Sequence, residues 1–219
     1  MGQFSVGVNK LRVNVPVTFG VLHLAPLWPA FMAQHPKVTL DVTLSDRLVD
    51  LVDEGFDVAV RIARLQVSSL ISRQLTTTRL ILCASPEYLR RHGAPRHPAE
   101  LAGHSVIAYS LLAAGDLWEF FSSQGSREPI QVMVSPRMRT NSGDTCTAAA
   151  LQHMGLVLQP SFLVGPHLDS GALVEVMPGF RSTELGVYAV YPSRRQLTPK
   201  VRALIDFLVD AFRMRAWPA

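Results

Sequence analysis

The sequence predicts an α/β protein built on parallel sheets, and three observations predict it. Apolar, strand-like runs alternate with helix-like segments along most of the 219 residues. Strands separated by helices pair in parallel through right-handed crossovers. The length is enough for one large domain or two small lobes with a substantial core. The chain also closes on a segment of near-ideal helical period, with apolar Val201, Leu204, Ile205, Leu208, Val209 and Phe212.

Leu11 to Val17 reads as the first strand, followed by a turn at Thr18–Phe19–Gly20. A helix to about His35 follows, with Leu24, Leu27, Phe31 and Met32 as its apolar stripe. Pro26 and Pro29 should bend it. Val38, Leu40, Val42 and Leu44 alternate on one face of a second strand. Leu48, Leu51 and Val52 suggest a short amphipathic helix closed by Gly55. Phe56 to Ile62 is the third strand, and Ile71–Leu75 and Leu80–Ala84 read as two more.

Ser85 and Pro86 are an N-cap and first helical residue for a helix through Leu89 and Arg90. Pro98–Leu101 reads as a short helix and Ser105–Tyr109 as a strand. Residues 110–129 are the least legible stretch. Ile130–Val134 and Met138–Thr140 read as strands. Ser142 caps a helix from Gly143 to His153, with Gly155 as its stop. Leu156–Gln159 is a strand, Phe162–Leu168 a helix, and Leu173–Met177 and Gly186–Tyr191 are strands. Thr198–Pro199 opens the last helix.

Composition is globular: 48% hydrophobic and 17% charged, far from the disordered class. The net charge of +4 is mildly basic. The nearest approach to a cationic cluster is Arg194, Arg195, Lys200 and Arg202, which reads as a solvated rim and not a nucleic-acid site. Two cysteines, Cys83 and Cys146, make no disulfide framework and suit a reducing cytoplasm. Residues 1–10 read as a linker, with no apolar signal-peptide core. No apolar run reaches the roughly 18 residues of a membrane span.

The motifs of catalysis are missing. There is no Gly-x-Ser-x-Gly elbow, Gly-rich phosphate loop or His-Glu-x-x-His, so neither an enzyme nor a cofactor is expected. His23, His35, His92, His97, His104, His153 and His167 show no metal-ligand spacing with Cys or carboxylates, so no metal is expected. Asp46, Asp50, Asp53 and Glu54 read as a solvated acidic face. Cys146 lies in the first turn of the Ser142 helix, where a thiol pKa is lowered. A redox role competes there with a plain buried thiol, and Cys83 is expected far away.

Binding chemistry is more visible. In open parallel sheets, ligands bind beyond the carboxyl ends of the strands. Those ends carry Thr18–Phe19–Gly20, Leu44–Ser45–Asp46 and Arg61–Ile62, next to helix N-termini whose free N–H groups suit an anion. Thr18 and Ser45 serve equally well as caps or as ligand donors. Arg61 can pair with Asp46 or Asp57, or bind an anionic ligand. Asn141–Ser142 and Pro160–Ser161 are two further polar junctions. A small anion, with Phe19 and Ile62 tolerating an aromatic or aliphatic body, is the expected ligand.

The same residues carry a family likeness. Leu11-Arg-Val-Asn-Val-Pro-Val-Thr-Phe-Gly20 with His23-Leu-Ala-Pro-Leu27 resembles the start of the effector-binding domain of LysR-type transcriptional regulators. Leu44 to Ile62 is the most specific segment. Leu82–Leu89, His97–His104, Val190–Arg195 and Leu197–Leu208 fit in the right order. The likeness runs from about residue 10 to 213.

The resemblance implies a type II periplasmic-binding-protein-like fold, two Rossmann-like lobes joined by two crossing strands. Lobe I is expected over 11–83 and 188–219, and lobe II over 84–187. The crossing strands are expected near Leu80–Ala84 and Gly186–Tyr191. A small effector would sit between the lobes at Thr18, Phe19, Gly20, Ser45, Arg61, Ile62, Asn141, Ser142 and Pro160. Homodimerisation is implied through the helices at 22–35 and 143–153, with Leu24, Leu27 and Trp28 facing a partner as well as the core, and a tetramer is possible in the full-length protein. Family members begin with a winged helix-turn-helix and a linker helix. This chain shows neither, so contact with DNA is expected only through such a preceding domain. A solute-binding protein of the same fold is the alternative.

Overall fold

The computed structural model describes residues 9–64, 71–123, 128–192 and 197–213. The linker expected at 1–10 falls almost wholly outside them, as do Arg194 and Arg195. The chain forms two compact units. One takes the residues up to Thr77 and those from Gly186 on; the other runs from Thr78 to Leu185.

In the first unit, β1 (Lys10–Val15) pairs in parallel with β2 (Thr39–Leu44) and with β3 (Val58–Ala63). β12 (Glu184–Tyr191) joins β3 in antiparallel register, Val187 opposite Ile62. The expected Leu11, Val13 and Val15 are buried, and so is Asn14, which breaks the apolar run. β2 is the edge strand, so its alternating Leu40 and Val42 are only half-buried and Leu44 is exposed. α6 (Pro199–Arg213) buries Val201, Leu204, Ile205, Leu208 and Phe212, as its period predicts.

The first helix takes four geometries in succession: α1 (Val17–Phe19), a π stretch (Gly20–Leu24), a 3-10 turn (Ala25–Leu27) and α2 (Trp28–Gln34). Pro26 and Pro29 lack the N–H groups an unbroken ladder needs, so the path adjusts around them. Leu24 and Phe31 are fully buried. Leu24 therefore faces the core of its own unit, and Val17 (37% exposed), Val21 (54%) and Leu22 (47%) are large apolar groups this helix leaves in solvent.

The helix expected over Leu48–Val52 does not form. Leu48 and Val52 are exposed, while Val49 and Leu51 are buried, a two-residue spacing that no helix face produces. Asp50 Oδ1 accepts the N–H groups of Val52 and Asp53. Arg61 takes the carbonyls of Arg47 and Val49, and Arg12 those of Glu54 and Gly55. Carbonyls held by two arginines are lost to a helical ladder. Gly55, at φ +69°, closes the turn.

β4 (Ile71–Ala84), which begins in the first unit and ends in the second, is one fourteen-residue strand where two were expected. Thr76, Thr77 and Thr78 look like a polar break, but β-branched residues favour extended backbone. The chain passes between units inside β4, at Thr77–Thr78, and inside β12, at Leu185–Gly186. From Thr78 on, β4 pairs antiparallel with β9 (Leu156–Pro160) and with β10 (Val174–Glu175). β5 (Val106–Tyr109) lies parallel to β9 on one side and to β8 (Met138–Thr140) on the other.

The poorly legible stretch resolves into β6 (Leu117–Ser122), between β7 (Ile130–Met133) and β11 (Phe180–Ser182) in a small antiparallel sheet. Trp118 and Phe120 alternate into a core with Leu80, Leu82, Tyr88, Leu156 and Leu158. The opposite face of the larger sheet is packed by α4 (Gly143–Leu151) and α5 (Ser161–Asp169). Both expected caps are present: Ser85 Oγ accepts from Tyr88 N–H at the start of α3 (Pro86–His92), and Ser142 Oγ from Thr145 N–H.

Candidate functional site: polar strand-to-helix junctions

In the first unit β1 and β2 end side by side, Ser45 N–H donating to Val15 O at 2.9 Å. The turn into α1 brings Thr18, half-buried, beyond the end of β1. The N-terminus of this helix already has its anion. Asp46 Oδ1 accepts the Val17 N–H at 2.9 Å. Ser45 Oγ accepts from Arg47 N–H, a local turn bond.

Arg61 answers its open question with a third partner. Its guanidinium donates to Val49 O at 2.9 Å and Arg47 O at 3.3 Å, with a long contact to Asn14 Oδ1 at 3.5 Å. Burial pulls its pKa below the ordinary value, Glu54 raising it and Arg47 lowering it further, yet an arginine here stays charged. Asp57, one of the expected partners, is taken by Arg12 N–H and Lys200 Nζ. Asn14 is a residue the sequence reading missed. It is fully buried in β1 and bonds Thr43 O, and a polar residue inside an apolar strand was the available signal.

Phe19 and Gly20 are packing residues. Phe19 is 1% exposed and stacked on Phe212, with ring centroids 5.8 Å apart. A Cβ on Gly20 would stand 2.7 Å from Val15 Cγ2. Ile62 is half-buried on β3.

In the second unit Asn141 is exposed, Ser142 caps α4, and Pro160 occupies the N-cap position of α5. Close behind lie three buried polar side chains, Ser161 of the expected junction and two, Thr78 and Gln159, that pattern reading did not single out. Thr78 and Ser161 hydroxyls meet at 3.1 Å, and Gln159 is 2% exposed. Gly155 does not end α4. His153 takes the left-handed conformation at φ 65°, and Gly155 instead lets β9 approach Ser105.

The cysteines are corrected too. Cys146 and Cys83 are both fully buried and belong to one apolar cluster, so they are not remote. Burial pushes the Cys146 thiol up to about 11, outweighing the helix amide that lowers it. Burial, with Glu175 adding to it, takes Cys83 to about 12. Both remain neutral thiols at physiological pH, the inert form.

A concavity of about 460 Å³ in the first unit is lined by Ser72, Arg73, Gln74, Leu75, Val209 and Arg213. It holds none of the expected site residues. Among the described residues no group of three or more His, Cys, Asp and Glu gathers for a metal. Nor is any described helix long and apolar enough to cross a membrane.

Residues 7–213 match the family model of the LysR substrate binding domain. The chain belongs to the LysR substrate-binding domain family. Its fold is accordingly the type II periplasmic-binding-protein-like α/β fold of LysR-type regulatory domains. An uncharacterized HTH-type transcriptional regulator of Haemophilus influenzae is 34% identical over 198 residues, 90% of this chain and 67% of that protein. The CrgA regulatory domain, from a LysR-type transcriptional regulator of Neisseria meningitidis, superposes with a TM-score of 0.78 at 28% identity, covering 93% of this chain and 98% of that one. The full-length virulence activator AphB of Vibrio cholerae gives 0.77 at 28% identity, over 92% of this chain and 68% of that one. This LysR substrate-binding domain thus spans about two thirds of the length of its curated relatives.

Proposed function

We propose that this domain is the effector-sensing and dimerising part of a cytoplasmic LysR-type transcriptional regulator. A small anionic molecule held at the strand-to-helix junctions shifts the populations of two domain arrangements, and the full-length protein's grip on DNA follows. The observation that carries this reading is the run of polar junctions, Thr18, Ser45, Ser142 and Pro160, on a domain of this family. Ser85 and His153 meet at 2.8 Å, but that serine is 1% exposed and serves as the cap of α3, which favours a binder over an enzyme. The helix with exposed Val21 and Leu22, together with α4, supplies the surfaces for a homodimer, and a tetramer in the full-length protein. DNA is reached through a preceding helix-turn-helix domain.

The test is thermal denaturation with a panel of small aromatic and aliphatic organic acids. The wild type and a Thr18→Val/Ser45→Ala variant are compared. A ligand that binds only the folded state raises the melting temperature by mass action. We expect an acid that stabilises the wild type and loses its effect on the variant. An equal effect on both would move the site away from the first unit's junctions. No effect from any acid would sink the anionic effector.

A further inference from the structure

We propose that Gln159, with the first turn of α4, receives a carboxylate oxygen of the effector. This rests on the reading of the domain as a small-molecule sensor, and names the side chain that reads the acid group.

Gln159 occupies a place that packing alone would give to an apolar residue. Alternation along β9 puts Val157 and Gln159 on the sheet face covered by α4 and α5, where the cluster is Ile81, Cys83, Cys146, Ala150, Val157 and Val164. Its side chain is 2% exposed, and Nε2 has no hydrogen-bond partner among the described residues. A buried donor left unmade costs stability, and native proteins keep few of them. A donor retained in that state points to an acceptor that arrives from outside.

The surroundings are arranged for such an acceptor. A Cβ on Gly143 would lie 3.1 Å from Gln159 Oε1 and 2.9 Å from Leu163 Cδ2, so the opening turn of α4 lies directly against this carboxamide. α4 is a nine-residue helix. Its cap bonds occupy the N–H groups of Ser142 (to Thr140 Oγ1), Thr145 (to Ser142 Oγ) and Cys146 (to Ser142 O). The Gly143 N–H is not among them. Backbone amide, helix dipole and carboxamide donor together suit an oxygen carrying negative charge. On the first unit's helix the Val17 N–H already donates to Asp46 Oδ1, so the start of α4 is the better receiver of the charged oxygen while Thr18 and Ser45 hold other parts of the molecule. The acid group therefore belongs at Gln159, and the body of the effector elsewhere.

The test uses benzoate and succinate against benzamide and succinamide, on the wild-type chain, Gln159→Leu and Gln159→Glu. We expect the acids, and not the amides, to raise the wild-type melting temperature. Gln159→Leu should melt no lower than wild type, because the orphan donor is gone. It should bind the acids about tenfold or more weakly, the loss of one hydrogen bond to a charged group. Gln159→Glu should abolish the effect by repulsion. In 15N spectra, the side-chain amide pair missing from Gln159→Leu should shift saturably as an acid is titrated into wild type. Acid binding that is equal in wild type and Gln159→Leu, with that amide pair unmoved, would overturn the inference and leave the sensor reading intact. Stabilisation by the amides alone would do the same. No response to either class would overturn the inference together with the anionic effector it rests on.

Discussion

Arg61 Nη2 donates to the backbone carbonyl of Val49 at 2.9 Å, so the cation carried by β3 is spent on the loop between β2 and β3. It braces the same loop through Arg47 O. Replacing Arg61 by Met removes these bonds and leaves carbonyls without a charged donor. The expected cost is about 1–3 kcal/mol. Urea denaturation should report it, and hydrogen exchange should speed up over residues 47–56. If Arg61→Met kept full stability and lost only acid binding, the arginine would be a ligand residue and not a brace.

Phe19, another expected ligand contact, is held in the core. It stacks on Phe212 of α6 and is almost wholly buried. Phe19→Ala should cost about 3–5 kcal/mol, as for a core aromatic. The folded fraction should still respond to any acid that stabilises the wild type. Selective loss of that response, with the melting temperature unchanged, would return Phe19 to the site.

What could be read from the sequence follows physical range. The caps Ser85 and Ser142 were legible, because each acts on an N–H three residues away. The apolar face of α6 was legible because its period is local. The Leu48–Val52 segment was misread, because Arg12 and Arg61, far along the chain, decide where its carbonyls bond. Among the site residues, Thr18, Ser142 and Pro160 fall at strand-to-helix junctions, while Ser45 ends its strand without the helix expected after it. Gln159 could not be seen at all: one Gln in a strand looks ordinary until burial and the lack of a partner are known.

Gly155 sits where β9 meets the start of β5. Leu156 N–H donates to Ser105 O at 2.8 Å, and a Cβ on Gly155 would stand 2.3 Å from that same oxygen. Backbone cannot swing aside as a side-chain tip can. Gly155→Ala should therefore destabilise by about 1–3 kcal/mol, through strain in the parallel β5–β9 pairing. Gly103 meets nothing within 4 Å and is the control. Gly103→Ala should stay within about 0.5 kcal/mol of wild type. Equal melting temperatures for the two variants would mean that the β9 approach yields more easily than the contact implies.

The buried thiols set an alkaline limit on stability. Cys83 and Cys146 hold their protons to about 12 and about 11, against 9.0 for a free thiol. Their folded pKa values are raised, so the unfolded chain gives up these protons first. The contribution is complete below pH 9.0 and is lost as the pH rises through 11 toward 12. Wild type should therefore lose more stability between neutral pH and about pH 10 than Cys83→Ala/Cys146→Ala does, when each is measured by chemical denaturation. The same burial should leave both thiols unreactive to iodoacetamide in the native protein at neutral pH and reactive once it unfolds. Rapid native labelling of Cys146 would mean that the start of α4 opens on its own, and would restore the redox role that burial argues against.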